Sequence, residues 1–353
     1  MKLANLRRKV DRLDDQLVRL LEQRAGVARE IGLLKQKDGS SVFAPSREAA
    51  LFRRLEAKLK GGLNPSDLRA VYREILASAR RIQGGARVAY LGPEGSYCHQ
   101  AARERFGAAT ELVPCPTIAE IFSAVDRGEV EAGVVPMENS GEGAVGATQD
   151  ALLGTSSWVC GEVYLTIRHA LLTKSQTGPI RTVYSHPQAL AQCRHWLATR
   201  LPGVKLVEVA STAEGARRAG KEKRAAAIAS PWAAKIYGLK IRQRDVQDHM
   251  GNSTRFLVLG QEPVPTTGKD KTSLLFSLPH RAGALHRALG VLSSKGLNLL
   301  KVESRPAPGE RWEYVFFVDV RGHADRPEFR QALTRLQKQT QDLRVLGSYP
   351  EDR

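Results

Sequence analysis

Gly133-Val134-Val135-Pro136-Met137-Glu138-Asn139-Ser140-Gly141-Glu142-Gly143 begins as an apolar run that suits a buried strand, breaks at Pro136 into a polar, glycine-rich turn, and continues as a helix over Ala144 to Leu153. Carboxylate and amide groups at the C-terminal end of a buried strand, beside a helix N-terminus, are how α/β folds build anion sites. The same residues also suit a plain strand-to-helix loop, so the flanking sequence has to decide.

Upstream, Arg87 to Tyr97 repeats the pattern with a short buried strand, the turn Leu91-Gly92-Pro93-Glu94-Gly95, and a helix from about Cys98. Downstream, strand and helix alternate through Tyr164 to Leu172, Thr182 to Ser185, Leu206 to Val209 and Ala225 to Ala229. This predicts an α/β domain over residues 86–262 in two lobes around a cleft, the chain crossing near Cys160 to Val163 and returning near Ile241 to His249. Ser185-His186-Pro187-Gln188 ends one strand and starts a helix, with Gln192 one turn further on. Ser211-Thr212 and Ser230-Pro231 repeat that arrangement, and each also reads as an ordinary helix cap.

Taken in order with Asn252-Ser253-Thr254-Arg255-Phe256, these runs resemble the prephenate dehydratase family. The resemblance implies loss of a ring hydroxyl and a carboxylate together, so the leaving hydroxide has to be hydrogen-bonded or protonated and the carboxylates held in a dry site. It puts Thr254 at the leaving hydroxyl, with Glu138, Asn139 and Ser140 beside it as catalytic groups. Arg255, Ser185, His186, Gln188 and Gln192 are then substrate-binding, and Phe256 is core. A threonine is too weak an acid to surrender its proton outright, so it acts by polarising the oxygen or relaying from water or Glu138.

Over residues 1–84, Leu3, Leu6, Val10, Leu13, Leu17, Leu20, Val27, Ile31 and Leu34 recur at spacings that predict one helix of about thirty residues with a coiled-coil-like seam. Arg24 interrupts that seam, and a guanidinium there is costly unless an anion meets it. Lys35 falls on nearly the same face about 16 Å along, and Arg7 about 100° around. Further helices are predicted from Pro45 to about Leu59 and from Pro65 to about Ile82, ended by Gly84-Gly85. Three helices with basic residues aimed inward resemble the all-helical chorismate mutase domain. The resemblance implies a site of Arg24, Lys35, Arg47, Glu48 and Gln83 with Arg7 of the partner subunit. The arginines would clamp two carboxylates, Lys35 and Gln83 would donate to the ether oxygen, and Glu48 would accept from the ring hydroxyl. Ala44 and Ala79 stand where some members carry Asp and a hydroxyl residue.

Beyond the linker Glu262 to Asp270, residues 271–353 read as strand, helix, strand, strand, helix, strand, a ferredoxin-like βαββαβ order. Gly283-Ala284-Leu285 at the first helix N-terminus and Glu303-Ser304-Arg305 at the end of the second strand are similar to the ACT regulatory domain. Phenylalanine binding at these six residues is what that similarity implies.

The multidomain chain expected is thus all-α helical, two-lobed α/β, then ferredoxin-like α+β. Its partners would be chorismate, prephenate and phenylalanine, without metal or cofactor, in a homodimer or dimer of dimers. A dehydratase with an inert helical arm, and a two-lobed solute-binding protein, are the alternatives. Composition agrees with a water-soluble chain: 42% hydrophobic, 26% charged, with no apolar run that would span a membrane and no signal-peptide pattern, so the expected location is cytoplasmic. Cys98, Cys115, Cys160 and Cys193 form no metal-binding spacing. The net charge of +17 suits nucleic acid, a small polyanionic substrate or a composition that simply prefers Arg on surfaces, and the basic residues are scattered along helices with no recognition element, which argues against nucleic acid.

Overall fold

The computed structural model describes residues 3–306 and 314–351. Three helices come first, α1 (Leu3–Asp38), α2 (Pro45–Glu56) and α3 (Pro65–Ile82). Proline opens α2 and α3, where its missing N–H costs nothing, and the Asn64 side chain caps α3 by accepting from the Asp67 amide at 2.8 Å. Along α1, Leu3, Leu6, Val10, Leu13, Leu17 and Leu20 are between 43% and 63% exposed. Val27, Ile31 and Leu34 are exposed to 55%, 42% and 61%, so the apolar seam lies open along the helix within one chain.

The first α/β lobe contains β1 (Arg87–Leu91), α4 (Tyr97–Phe106), β2 (Glu111–Cys115), α5 (Ile118–Asp126), β3 (Ala132–Asn139), β4 (Gly143–Ala144), α6 (Gly146–Gly154) and β5 (Trp158–Thr166). The second lobe runs through β6 (Ala170–Thr173), β7 (Thr182–Ser185), α7 (Pro187–Gln192), α8 (Arg194–Arg200), β8 (Lys205–Glu208), α9 (Thr212–Ala219), β9 (Ala225–Ala229), α10 (Pro231–Tyr237) and β10 (Lys240–Arg244). β11 (Ser253–Gly260) then returns to the first lobe. The strand orders are β2-β1-β3-β11-β5, with β4 against β3, and β10-β6-β9-β7-β8.

Two readings of the sequence need correction. The crossing between lobes is not at Cys160 to Val163, because β5 stays paired with β11 as far as Thr166. What reads as one strand from Tyr164 to Leu172 is two strands in two sheets, joined by Ile167-Arg168-His169 without a glycine or proline to mark the break. Pro136 does not end its strand either. β3 continues to Asn139, and the ladder pairs Phe256 with Pro136 but Arg255 with Glu138, which leaves Met137 as a bulge.

The C-terminal module consists of β12 (Asp270–Ser277), α11 (Ala284–Ser293), β13 (Leu299–Pro306), β14 (Tyr314–Arg321), α12 (Pro327–Gln337) and β15 (Asp342–Pro350), in strand order β13-β14-β12-β15. The strand expected from Trp312 has its first two residues outside the described residues. Both helices pack on one sheet face with Leu274, Phe276, Val318 and Val320. On the other face Leu275, Phe317, Leu346 and Tyr349 share one hydrophobic cluster with Val135, Met137 and Leu257 of the first lobe. This sheet thus packs directly behind the strands that floor the cleft.

Candidate active sites

The lobes enclose a cleft of about 1030 Å³ whose wall includes Pro136, Asn139, Thr254 and Phe256. In a regular strand Pro136 and Asn139, three apart, would face opposite ways. The bulge at Met137 brings both to the cleft and sends Met137 and Glu138 to the far side.

Thr254 stands opposite Asn139 in the ladder, and its Oγ1 accepts from Asn139 Nδ2 at 2.8 Å. The amide orientation is fixed because Asn139 Oδ1 accepts from the Gly141 N–H at 3.0 Å. A hydroxyl has one proton and two lone pairs. With one lone pair taken by the amide, the Thr254 proton is available to a ligand in the cleft.

Tyr97 of α4 and His169 also line the cleft; Tyr97 O–H meets His169 Nδ1 at 2.9 Å, and His169 Nε2 meets Gln192 Oε1 at 2.9 Å. Gln192 donates in turn to Glu142 Oε1 at 3.3 Å, so this chain ties the second lobe to the first. Burial lowers the His169 pKa and raises that of Tyr97 well above its ordinary value, which leaves both neutral near pH 7. Sequence order marks neither as a site residue: Tyr97 closes the run that holds the Leu91 to Gly95 turn, where it reads as a helix start, and His169 sits in no motif. Arg218, on α9, also reaches this wall.

The other expected residues divide. Gln188, Gln192 and His186 line the cleft, although His186 Nδ1 also caps α7 by accepting from the Gln188 N–H at 3.3 Å. Ser185 does not line it, being fully buried with its hydroxyl donating to the Ile228 carbonyl at 2.6 Å. Ser140 lies in the hairpin loop, where its Oγ accepts from the Ser253 N–H at 3.0 Å. Arg255 and Glu138 face away from the cleft, because each precedes or follows a cleft-facing residue on its strand. Arg255, 3% exposed, donates to Glu138 Oε1 at 3.0 Å, Asp319 Oδ2 at 2.5 Å and the Tyr349 hydroxyl at 2.9 Å, with Glu162 Oε2 2.9 Å from its Nε. Arg255 therefore cannot hold a carboxylate in the cleft, nor can Glu138 relay a proton there.

In the helical layer, Lys35 Nζ donates to the Ser41 carbonyl at 2.7 Å. Gln83 caps α3 and packs against Gly32, where an added Cβ would fall 2.6 Å from the Gln83 Cα, so Gln83 sits one turn from Lys35. Arg24 is half-buried, while Arg7 and Arg47 are exposed. Glu48 is not a free acceptor: it is buried, Oε1 takes Arg80 Nη1, and Oε2 takes Arg105 Nη1 of the first α/β lobe at 2.9 Å. Its burial followed from neither spacing nor motif, since Arg105 belongs to another domain.

In the C-terminal module, Gly283 adopts φ +75° and Ala284 and Leu285 open α11. Glu303 pairs with Lys301 at 2.8 Å. Ser304 lies on the exposed face of β13. Arg305 reaches α6, bonding the Gly146 carbonyl and pairing with Asp150 at 2.5 Å, so its guanidinium is engaged at the interdomain contact.

Residues 6–84 match the family model for chorismate mutase type II, 88–264 that for prephenate dehydratase, and 272–337 that for the ACT domain. A bifunctional chorismate mutase/prephenate dehydratase of Aquifex aeolicus is 42% identical over 354 residues, covering 99% of this chain and 98% of that protein. Among solved structures, the prephenate dehydratase of Arthrobacter aurescens in complex with L-Phe is similar at a TM-score of 0.69 and 33% identity, covering 75% of this chain and 90% of that one. A structure described as GqqA, a novel type of quorum quenching acylase, is similar at a TM-score of 0.68 and 31% identity, covering 75% of this chain and 98% of that one. Since the helical layer is matched as well as the two modules after it, and a relative aligns over nearly the whole of both chains, this protein belongs to the family of bifunctional chorismate mutase/prephenate dehydratases.

Proposed function

We propose that the chain rearranges chorismate to prephenate in its helical domain, converts prephenate to phenylpyruvate in the cleft, and is inhibited by phenylalanine bound to its ACT domain. The observation that carries the dehydratase reading is the Asn139–Thr254 pair at 2.8 Å in the cleft. As the ring C–O bond breaks, negative charge grows on the leaving oxygen. The Thr254 proton meets that charge, and the Asn139 amide strengthens the hydroxyl as a donor by bonding its oxygen. Departure of the ring carboxylate as carbon dioxide returns the electron pair to the ring, which becomes aromatic. With Arg255 behind the sheet, carboxylate contacts fall to Gln188, Gln192 and Arg218, whose Nε already pairs with Glu214 Oε1 at 2.9 Å.

The rearrangement needs no acid, base or nucleophile, only a folded dicarboxylate with charge stabilised on the ether oxygen. Arg7 is 28 residues from Lys35 on the same helix, about 42 Å along its axis, so one chain cannot bring both to one substrate. The open apolar seam of α1 supports pairing of two chains, with Arg7 of the partner subunit completing each site. Cytoplasmic placement is favoured by four cysteines that are buried and free.

Purified protein given chorismate should release prephenate and then phenylpyruvate, followed separately. Turnover of prephenate without turnover of chorismate would reduce the helices to a dimerisation arm, and turnover of neither would remove the reading altogether.

A further inference from the structure

Residues alternate sharply along β13. Lys301, Glu303 and Arg305 are half-buried, whereas Leu300, Val302 and Ser304 are exposed. The half-buried three are all charged, and two of them cross to the dehydratase domain. Lys301 Nζ donates to Glu138 Oε2, and Arg305 bonds the Gly146 carbonyl and Asp150. The targets matter. Glu138 stands one residue before Asn139 and opposite Arg255, which stands one residue after Thr254.

Two adjacent rungs of the β3–β11 ladder thus face opposite ways. Asn139–Thr254 faces the cleft and Glu138–Arg255 faces the ACT sheet. The rear rung is held from the ACT side by Lys301 on β13, Asp319 on β14 and Tyr349 on β15, and Ser273 on β12 donates to Asp319 Oδ1 at 2.5 Å. Every strand of the ACT sheet contributes a group. Apolar residues of similar volume would serve stability about as well as such a buried ionic cluster, whereas directional bonds to charges hold two sheets in one register.

We propose that Lys301 and Asp319 are positioning residues of the dehydratase: by holding the Glu138–Arg255 rung they set the Asn139–Thr254 rung, so that displacement of β13 reaches the hydroxyl that meets the substrate. The proposal rests on the reading of Thr254 as the group at the leaving oxygen. It gives the ACT domain a part in the uninhibited reaction as well as in regulation.

The test is a double-mutant cycle on the full-length protein, with prephenate as substrate and mutase turnover as the check on folding. Lys301→Met should lower kcat about 10-fold with KM changed less than about 2-fold, since what is lost is alignment in the transition state. Lys301→Arg, which still donates to Glu138, should recover most of it. Asp319→Asn should act in the same direction. In a Thr254→Val background, Lys301→Met should lower kcat by less than about 2-fold, because the group it positions is gone. The relay is overturned if Lys301→Met and Asp319→Asn both leave kcat within about 2-fold of wild type, or if Lys301→Met acts with full force on top of Thr254→Val. In both of those outcomes a crippled Thr254→Val single variant keeps the Thr254 reading intact. A Thr254→Val protein with normal kcat removes that reading itself, and this proposal with it.

Discussion

Thr254 and Arg255 are neighbours with opposite surroundings. Thr254 touches the cleft, and Arg255 is enclosed by Glu138, Glu162, Asp319 and Tyr349. Thr254→Val removes the proton that meets the leaving hydroxyl and keeps the shape, so kcat should fall by about 100-fold with KM little changed. Thr254→Ser should keep much of the activity, and equal loss in both variants would assign the effect to packing of the methyl group. The rear cluster makes a different forecast, in pH. Burial works to raise the pKa of Glu138, but Lys301 and Arg255 outweigh it and hold it below the ordinary value of 4.5. Asp319 is likewise held below 3.8, with Arg255, Lys271 and Ser273 outweighing its burial. Carboxyls depressed on folding stabilise the folded protein fully above their ordinary pKa, and that contribution disappears as pH falls through the folded value. Thermal stability should therefore be level from about pH 5 upward as far as these groups decide it, and decline below about pH 4. Lys301→Met should flatten that decline by raising the Glu138 pKa toward its unfolded value, and an unchanged acid limb in Lys301→Met would show that the pair is not formed in solution. Sequence order groups Thr254, Asn139, Arg255 and Glu138, and the four stand on two adjacent rungs of one ladder. Order alone could not divide them between two faces, because the division depends on a one-residue bulge at Met137 that reverses the side on which Asn139 emerges.

At the scale of elements, α1 was the most legible piece of the chain, since a heptad-like seam over thirty residues has one local solution. The lobe crossing was the least legible, because residues 163–172 are continuously strand-forming, and only the partners in two different sheets divide them. The face presented by β13 was equally hidden: period two tells which residues share a side but not which side meets another domain. Arg24→Ala should reduce mutase turnover by about 100-fold or more while leaving dehydration of added prephenate unchanged, since the lost charge lies in the helical domain alone. Arg7→Ala should do the same by a different route. A two-fold dimer makes each site from Arg24 of one chain and Arg7 of the other, so mixed dimers of the two variants have one complete site and one lacking both. Equal mixing should restore about a quarter of the wild-type mutase rate per chain, half the dimers being mixed and half their sites complete. Verified mixed dimers with no recovery would mean that each chain closes its own site.

At the scale of the whole molecule, the three domains are joined by charge as well as by apolar contact. Arg105 of the dehydratase domain grips Glu48 in the mutase domain, and Lys301 and Asp319 of the ACT sheet grip the rear rung of the cleft. This arrangement changes what should be mutated to test regulation. Glu303 pairs with Lys301, so Glu303→Ala should disturb the uninhibited dehydratase as well as any phenylalanine site and cannot serve as a clean desensitising variant. Gly283 has φ +75°, so a valine there is strained whatever the space around it, and loss of inhibition in Gly283→Val would mix a blocked site with a shifted helix start. Linkage offers a test that needs no substitution. If phenylalanine slows dehydration by favouring a conformation that binds prephenate less well, then prephenate must weaken phenylalanine binding by the same factor, however the signal travels. A coupling of the usual size, 1–3 kcal/mol, corresponds to about 5- to 150-fold in affinity, which calorimetry resolves. Phenylalanine titrated into protein saturated with a non-reacting prephenate analogue should therefore show a dissociation constant at least about 5-fold higher than without it. In Lys301→Met the same two titrations should converge, because the link between β13 and the cleft strands is cut while both binding sites remain. Equal affinities already in the wild-type protein would exclude coupling of the two binding equilibria, and undiminished coupling in Lys301→Met would route it through the contacts that remain, Asp319 and Tyr349 with Arg255 or Arg305 with α6.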